Sequence, residues 1–520
     1  MYQFGYFLIR NSNVHPDRLA LVFGEKEYTW RELNTAVNRL ANSLMKIGVR
    51  RGNRVAYMLN NSAEVVLTFL ALQKIGACAL AINTHFLAGE ISRIFNVVDC
   101  MTCIFDPEYA DTICEAAEKY GRIENLIVRG PASASQYSLF SLIEDGEEEE
   151  AQADLTADDE SIIILTSGTT GTAKAALRTQ SIMREYGLML AIENDNFHRP
   201  EVAMTHSPFF HTACLSILVK MMALCGTFVL TRRVEPENLF HLIEKYRVTQ
   251  TLMVPPLHYM RLYDSMLWKT YDTSSLREAQ FTGGKCSVDY VKKICEMFPN
   301  ANLRPSYGST ETCAACSAVM SREHLLNNLE HIKSVGRINA NCELRLVDES
   351  GNDVPVGEVG EALVRSPMLF KGYLKNEELN KKVFENGWFH TEDLMKCDHQ
   401  GFYYLVDRKK DMVKTGGENV YAQELEDVLR NHPAIFDCAV IGVEDARFGE
   451  AVAAAIILNK DMTLSDDELI AYCKNNLPSY KKPRYVAYVD ELPHNVTGKI
   501  QKSVLRENAD TLFRPVTGIR

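Results

Sequence analysis

Residues 55–82 read VAYMLNNSAEVVLTFLALQKIGACALAI. Val55 to Leu59 is a short apolar run shortly after the turn residue Gly52. Ala63 to Ile75 reads as a helix closed by Gly76, and Cys78 to Ile82 is a second strand-like run. Strand, helix and buried strand in succession mean a sheet with parallel neighbours covered by helices. The pattern extends both ways: Tyr28 to Ile47 has apolar residues at helical spacing, and Ser161 to Leu165, Thr227 to Leu230 and Thr251 to Val254 read as strands, the last stopped by Pro255-Pro256. The expected fold class is a large N-terminal α/β domain with helix-covered mixed sheets.

Composition changes after about residue 407. Asp407-Arg408-Lys409-Lys410-Asp411 is a charged joint, followed by Gly416-Gly417, a helix from Ala422 to Leu429, strands near Cys438 to Val443 and Ala451 to Leu458, a helix opened by Ser465 with Glu468 as capping box, and a strand around Tyr485 to Val489. This predicts a small C-terminal α+β domain, with domains at 1–408 and 409–520.

The 520 residues carry 46% hydrophobic and 24% charged side chains, a globular balance that excludes disordered and fibrous classes. The 56 Lys and Arg against 68 Asp and Glu give a net charge of −12, which argues against a nucleic-acid partner. Fourteen scattered cysteines and an amino terminus without a signal pattern indicate a reduced, cytoplasmic chain. Cys100/Cys103 and Cys313/Cys316 have half-knuckle spacing but no flanking His or Gly-rich turns, and are read as ordinary thiols. No apolar run approaches a bilayer span, so membrane contact is limited to a peripheral kind. The acidic run Glu144 to Glu150, broken by Gly146, is read as a solvated loop held open by charge repulsion.

Directly after the Ser161 to Leu165 strand comes Thr166-Ser167-Gly168-Thr169-Thr170-Gly171-Thr172-Ala173-Lys174. Two glycines let successive N–H groups turn toward one anion, five hydroxyls add donors, and Lys174 supplies a mobile positive charge. That combination suits a polyphosphate. The loop of P-loop NTPases needs Gly before the Lys and Ser or Thr after it, and Ala173 and Ala175 stand there instead. Kinase and NTPase readings fall, and a phosphate loop of another kind remains.

With Tyr307-Gly308-Ser309-Thr310-Glu311, Gly387-Trp388-Phe389-His390-Thr391-Glu392-Asp393, Asp407-Arg408 and Pro493-His494-Asn495-Val496-Thr497-Gly498-Lys499-Ile500, residues 20 to 505 resemble the adenylate-forming superfamily of acyl-coenzyme A synthetases, peptide-synthetase adenylation domains and beetle luciferases. The resemblance implies that Thr166, Ser167, Gly168, Thr169, Thr170, Gly171 and Lys174 hold the β and γ phosphates of ATP. Tyr307 lies against adenine beside Gly283 and Gly284, Thr310 reaches phosphate, and Glu311 contributes to binding Mg2+, for which a carboxylate is a suitable hard ligand. Asp393 and Arg408 hold the ribose. His211, in Pro208-Phe209-Phe210-His211, lines the route between carboxylate and thiol. Lys410 is the hinge of a mobile small domain, Gly417 passes the pantetheine of coenzyme A, and Lys499 is the adenylation lysine.

Three residues depart from the usual pattern: Ala173 for Pro, Glu392 for Gly and His494 for Arg. The implied activity is an AMP-forming acid–thiol ligase, in which the carboxylate attacks the α phosphorus of ATP and the thiol of coenzyme A then takes the acyl group. Two alternatives stand beside it: an adenylating enzyme that loads a separate carrier protein, and a degenerate nucleotide-binding scaffold motivated by the three departures. Small residues around Gly283-Gly284-Lys285-Cys286 and Cys313 to Ala318 suggest a roomy pocket for a medium or longer acyl acid, with Phe209, Phe210 or Met253 as side chains able to restrict it and Lys285 as a partner for a polar or anionic group.

Overall fold

The computed structural model describes residues 3–133, 136–151, 153–166, 173–193, 200–253, 257–282, 287–494 and 500–517. The chain forms two compact units, Met1–Leu344 with Val364–Phe389 and Arg345–Leu363 with His390–Arg520. The composition change near residue 407 and this division fall at different places. The strand Tyr403–Arg408 is tied to residues after it, with the Gln423 amide donating to Asp407 Oδ2 at 3.2 Å.

In the first unit the described residues form an eight-stranded and a nine-stranded sheet. The eight-stranded sheet runs Gly372–Tyr373, Lys174–Thr179, Glu160–Thr166, Cys78–Ala81, Arg54–Met58, Thr102–Phe105, Asn125–Val128, Tyr137–Ser138. Its central strands are parallel, and the pairings at the Lys174–Thr179 side are antiparallel. The nine-stranded sheet has a parallel centre built on Val202–Thr205, Gln250–Met253, Glu278–Phe281 and Asn302–Tyr307.

The helix Ala63–Ile75 is buried along its whole length. Ser62 caps its start by accepting from the Val65 amide at 3.2 Å, and Gly76 ends it at φ 71°, where any Cβ would overlap Leu155. One apolar cluster joins this helix to residues of both sheets, among them Leu21, Phe228, Val55, Ala79 and Ile162. Nine of its thirteen residues are apolar and spread round its circumference, and such a helix is stable only when enclosed. No helix among the described residues is long and apolar enough to cross a membrane.

The acidic run corrects the expectation of an open loop. Glu150 pairs with the buried Lys74, Glu148 with Arg39 and Glu147 with Lys46, while Asn42 donates to the carbonyls of Glu147 and Glu149. These cations and Asn42 lie on two helices, Trp30–Lys46 and Ala63–Ile75, so the run lies against a complementary face. Gly146 is required because a Cβ there would overlap the Arg39 carbonyl. Burial pushes the Lys74 ammonium down from its ordinary value, with Glu150 opposing the shift.

In the second unit a six-stranded sheet is built on the long hairpin Ile435–Asp445 and Gly449–Leu458, with Ala422–Arg430 and Asp466–Asn476 as its main helices. Ser465 and Glu468 form the expected capping box. Cys100, Cys103, Cys313 and Cys316 are all buried. Burial pushes the thiols of Cys100 and Cys313 up to about 12 and about 11.

Candidate active site

The antiparallel strands Glu160–Thr166 and Lys174–Thr179 bring Thr166 opposite Lys174, so the two ends of the intervening Gly- and Thr-rich segment are held in one register pair. Ser167, Gly168, Thr169, Thr170 and Gly171 lie outside the described residues, as do Gly283, Gly284, Lys285 and Lys499. Lys174 Nζ stands 5.2 Å from the centre of the Tyr373 ring, and Tyr373 Oη donates to Glu311 Oε1 at 2.7 Å. Tyr373 is placed there by the antiparallel pairing of Gly372 with Leu177 and of Tyr373 with Ala176.

The segment from Tyr307 to Thr312 folds into a tight turn. Tyr307 is buried at the end of the strand Asn302–Tyr307, opposite Cys316. Gly308 admits no side chain, because a Cβ would overlap the Cys313 carbonyl oxygen. Ser309 Oγ accepts from the amides of Glu311 at 3.1 Å and Thr312 at 3.2 Å, and the Ser309 amide donates to Thr312 Oγ1 at 2.9 Å. The Glu311 carbonyl accepts from the Phe370 amide at 2.8 Å. Arg178, fully buried, donates to the Thr310 carbonyl from Nη2 at 2.7 Å and Nε at 3.2 Å, and from Nη2 to Thr212 Oγ1 at 3.2 Å.

His211 immediately precedes the helix Thr212–Leu224, its ring centre 4.6 Å from that of Phe210. The segment before it is held by Asn61, whose Nδ2 donates to the carbonyls of His206, Ser207 and Thr231 while its Oδ1 accepts from the Phe209 amide at 2.9 Å. Phe209 is enclosed in the core near Tyr57 and Phe69.

The remaining described candidates belong to the second unit. Asp393 faces Arg408 across antiparallel strands and pairs with it, Oδ1 to Nε, at 3.0 Å; Asp393 is buried and the Arg408 side chain half exposed. Glu392 sits at φ 59°, its carbonyl accepting from the Lys409 amide at 2.8 Å. Lys409 Nζ pairs with Glu361 at 2.7 Å, and Arg506 donates to the Lys410 carbonyl at 3.3 Å and to Asp411 at 2.7 Å. Burial pushes the Lys410 ammonium down. Gly416 and Gly417 form the two-residue turn between Val413–Thr415 and Glu418–Val420, both at positive φ, 59° and 87°. A Cβ on Gly417 would meet nothing within 4 Å, so the turn's handedness is what demands glycine there. His494 and Ile500 form an antiparallel bridge that closes the segment containing Lys499 at its base.

Sequence reasoning missed Arg178, Tyr373 and Asn61. The only local signal was a charged residue, Arg178, directly after the apolar run Ala175 to Leu177. Among the described residues no group of three or more His, Cys, Asp or Glu converges to hold a metal. A cation here would be held by Glu311 together with oxygens of its ligand, which is how magnesium is commonly bound beside phosphates.

Residues 8–374 match the AMP-binding enzyme family and residues 424–499 match the C-terminal domain of AMP-binding enzymes. The chain belongs to this family. It is 31% identical over 503 residues to a feruloyl-CoA synthase of Amycolatopsis, covering 96% of this chain and 98% of that one. To a crotonobetaine/carnitine–CoA ligase of Escherichia coli it is 32% identical over 518 residues, covering 94% and 98%. The crystal structure of ATP-bound MatB from Rhodopseudomonas palustris superposes with a TM-score of 0.86 at 28% identity, covering 98% of this chain and 99% of that one. The chain is thus an ATP-using, AMP-forming enzyme of the adenylate-forming class.

Proposed function

We propose that the enzyme converts a carboxylic acid to its coenzyme A thioester through an acyl-adenylate, releasing AMP and pyrophosphate. The observation that carries this reading is the convergence of Lys174, Tyr373, Glu311 and the Thr310 carbonyl on the strand that leaves the Gly- and Thr-rich segment. A cation, hydroxyls and a fixed carboxylate beside a turn of N–H donors are the groups a polyphosphate with its metal requires.

In this reading Thr166 to Gly171 and Lys174 retain the leaving pyrophosphate, Thr310 contacts phosphate, Tyr307 with Gly283 and Gly284 borders adenine, and Asp393 and Arg408 hold the ribose. With Oε1 accepting the Tyr373 phenol, Glu311 keeps Oε2 for Mg2+, and Thr310 adds a hydroxyl, so the donor set fits that ion. Bound magnesium neutralises phosphate charge. No protein nucleophile is needed, because the substrate carboxylate already carries the attacking electron pair. Lys499 stabilises charge developing at the α phosphate, so catalysis rests on alignment and on contacts that strengthen in the transition state.

The part after Arg408, residues 409–520, is the mobile domain. It turns about Lys410 between adenylation and thioester formation, withdrawing Lys499 and bringing Gly417 to the thiol arm, while His211 lines the path between carboxylate and thiol. The named substrates of the two curated relatives, feruloyl and crotonobetaine or carnitine groups, are bulkier than acetate, and small residues at Cys313 to Ala318 agree with room for a medium or longer acyl group. Enclosure of Phe209 in the core takes one candidate blocking side chain away from the pocket. Lys285 is the proposed partner of a polar or anionic substituent. The chain acts in the cytoplasm on small molecules, without nucleic acid.

The test is pyrophosphate release and thioester formation with coenzyme A across acetate, butyrate, octanoate, palmitate, carnitine-like, bile and aryl acids. Each methylene accepted by a fitting apolar pocket adds about 1 kcal/mol to discrimination. A maximum in kcat/KM at acetate sinks the roomy pocket, dependence on a carrier protein in place of coenzyme A sinks the acceptor assignment, and absence of pyrophosphate release sinks the enzyme.

A further inference from the structure

Arg178 is fully buried, and among the described residues no carboxylate pairs with it. Among the described residues its Nη1 has no hydrogen-bond partner. Its other two nitrogens both serve the Thr310 carbonyl, and Nη2 also reaches the Thr212 hydroxyl, while the Tyr186 ring centre lies 5.7 Å from Cζ. Burying a guanidinium without a carboxylate costs more stability than carbonyl and hydroxyl contacts return. An apolar side chain would fill the space at lower cost, so packing alone does not account for arginine at this position.

Side chains two apart share a face of a strand, which puts Lys174, Ala176 and Arg178 on the same side of Lys174–Thr179. Lys174 approaches the Tyr373 ring, Ala176 is in register with Tyr373, and Arg178 grips Thr310. The Thr310–Glu311 turn is therefore held from three sides: Arg178 on the Thr310 carbonyl, the Phe370 amide on the Glu311 carbonyl, and the Tyr373 phenol on the Glu311 carboxylate.

We propose that Arg178 is a positioning residue that fixes the peptide plane between Thr310 and Glu311 for binding of magnesium-bound ATP, an inference that rests on the nucleotide site proposed above. Two N–H groups on one carbonyl oxygen restrain rotation of that plane in a way one donor does not, and the plane sets where the Thr310 hydroxyl and the Glu311 carboxylate point. Through Thr212, the same guanidinium ties the start of the helix that follows His211 to this turn.

The experiment compares wild type, R178M and R178K, each checked for folding by its thermal midpoint. It reads the dissociation constant of magnesium α,β-methylene-ATP by calorimetry, the Mg2+ concentration for half-maximal binding of that analogue, and KM for ATP and for the best acid separately. Both variants are expected to weaken nucleotide binding about tenfold or more, the size of a lost charge-assisted hydrogen bond, and to shift the magnesium requirement upward. KM for the acid stays within about twofold, since the acid does not rely on the lost donors. R178K keeps the charge but has no planar fork, so it loses nearly as much as R178M. Where R178M fails to fold, R178K decides.

Wild-type nucleotide affinity and magnesium requirement in a folded variant overturn the proposal, as does a lowered midpoint with a smaller active fraction and unchanged constants. Wild-type enzyme that binds no magnesium–nucleotide overturns the nucleotide site itself, a failure distinct from that of Arg178.

Discussion

The phenol of Tyr373 donates to Glu311 Oε1 at 2.7 Å across 62 residues of sequence, and the ring that carries it packs on Phe370 with centres 4.8 Å apart. The packing holds the ring whether or not the hydroxyl is present, so the hydrogen bond can be removed alone. Tyr373→Phe is expected to leave the thermal midpoint within a few degrees and to raise KM for magnesium-ATP about fivefold, matching a lost bond of about 1 kcal/mol. Steady-state kinetics at varied magnesium check it, and an unchanged KM removes Tyr373 from the nucleotide site.

Replacing Lys499 with Ala is expected to suppress adenylate formation about a hundredfold or more while ATP still binds, as when a contact to developing charge is lost. Supplied with chemically made acyl-adenylate, the variant should form thioester at a rate much closer to wild type. A near-normal pyrophosphate burst would refute the assignment.

Lys410→Pro is expected to damage thioester formation more than adenylation, because a fixed φ permits one pose of the mobile part and hinders exchange. Single-turnover measurements of each half-reaction decide it, and equal loss in a folded variant counts against alternation at this residue.

Glu392 occupies a left-handed backbone conformation that costs an L-residue about 1 kcal/mol. Glu392→Gly is expected to raise unfolding free energy by about that amount less the extra chain entropy of glycine, so by roughly 0.5 kcal/mol. Urea melts monitor the gain, and a loss of stability would mean that the Glu392 side chain makes a compensating contact.

On the neighbouring strands Glu278–Phe281 and Asn302–Tyr307 of the nine-stranded sheet, Glu278 pairs with Arg304 at 2.9 Å and with Lys220 of the helix Thr212–Leu224 at 3.5 Å, all three buried. Burial alone would raise the Glu278 carboxyl, and Arg304 followed by Lys220 outweighs it, holding it down to about 2. A depressed folded value means stability present above the ordinary 4.5 and lost as pH falls from there through about 2. Glu278→Gln should therefore flatten the acid limb between those values relative to wild type. At neutral pH it should cost about 3 kcal/mol through the cations left unpaired. Parallel slopes in urea midpoints against pH would show that Glu278 is not held ionised.

Most of the fold was legible because its signals are local. Ala63–Ile75 and Thr227–Leu230 fall where apolar spacing places them, and Ser465 with Glu468 caps its helix as the pattern requires. Tyr307 to Glu311 was singled out by the family resemblance of one short motif, and its folding into a tight turn was not read from the sequence. The helix expected from Tyr28 begins instead at Trp30, since Thr29 and Glu32 form a capping box after the strand Lys26–Thr29. Arg178, Tyr373 and Asn61 were hidden, because the groups they serve lie 132, 62 and about 150 residues away and no periodicity links them. The acidic run misled in the same way: the cations that receive it, Arg39, Lys46 and Lys74, precede it by 70 residues or more.

The enclosed helix Ala63–Ile75 contributes to an apolar cluster shared by both large sheets, although the eight-stranded sheet keeps a second cluster of its own around Met58, Leu80, Phe95 and Phe105. Exposing it by parting the sheets would put thirteen residues with few polar side chains into water at once. The large unit should consequently melt in one transition rather than layer by layer. Cutting its gene between the strands Lys174–Thr179 and Val202–Thr205, which puts most of each sheet in a different fragment, should give fragments that aggregate when made apart and recover structure only when made together.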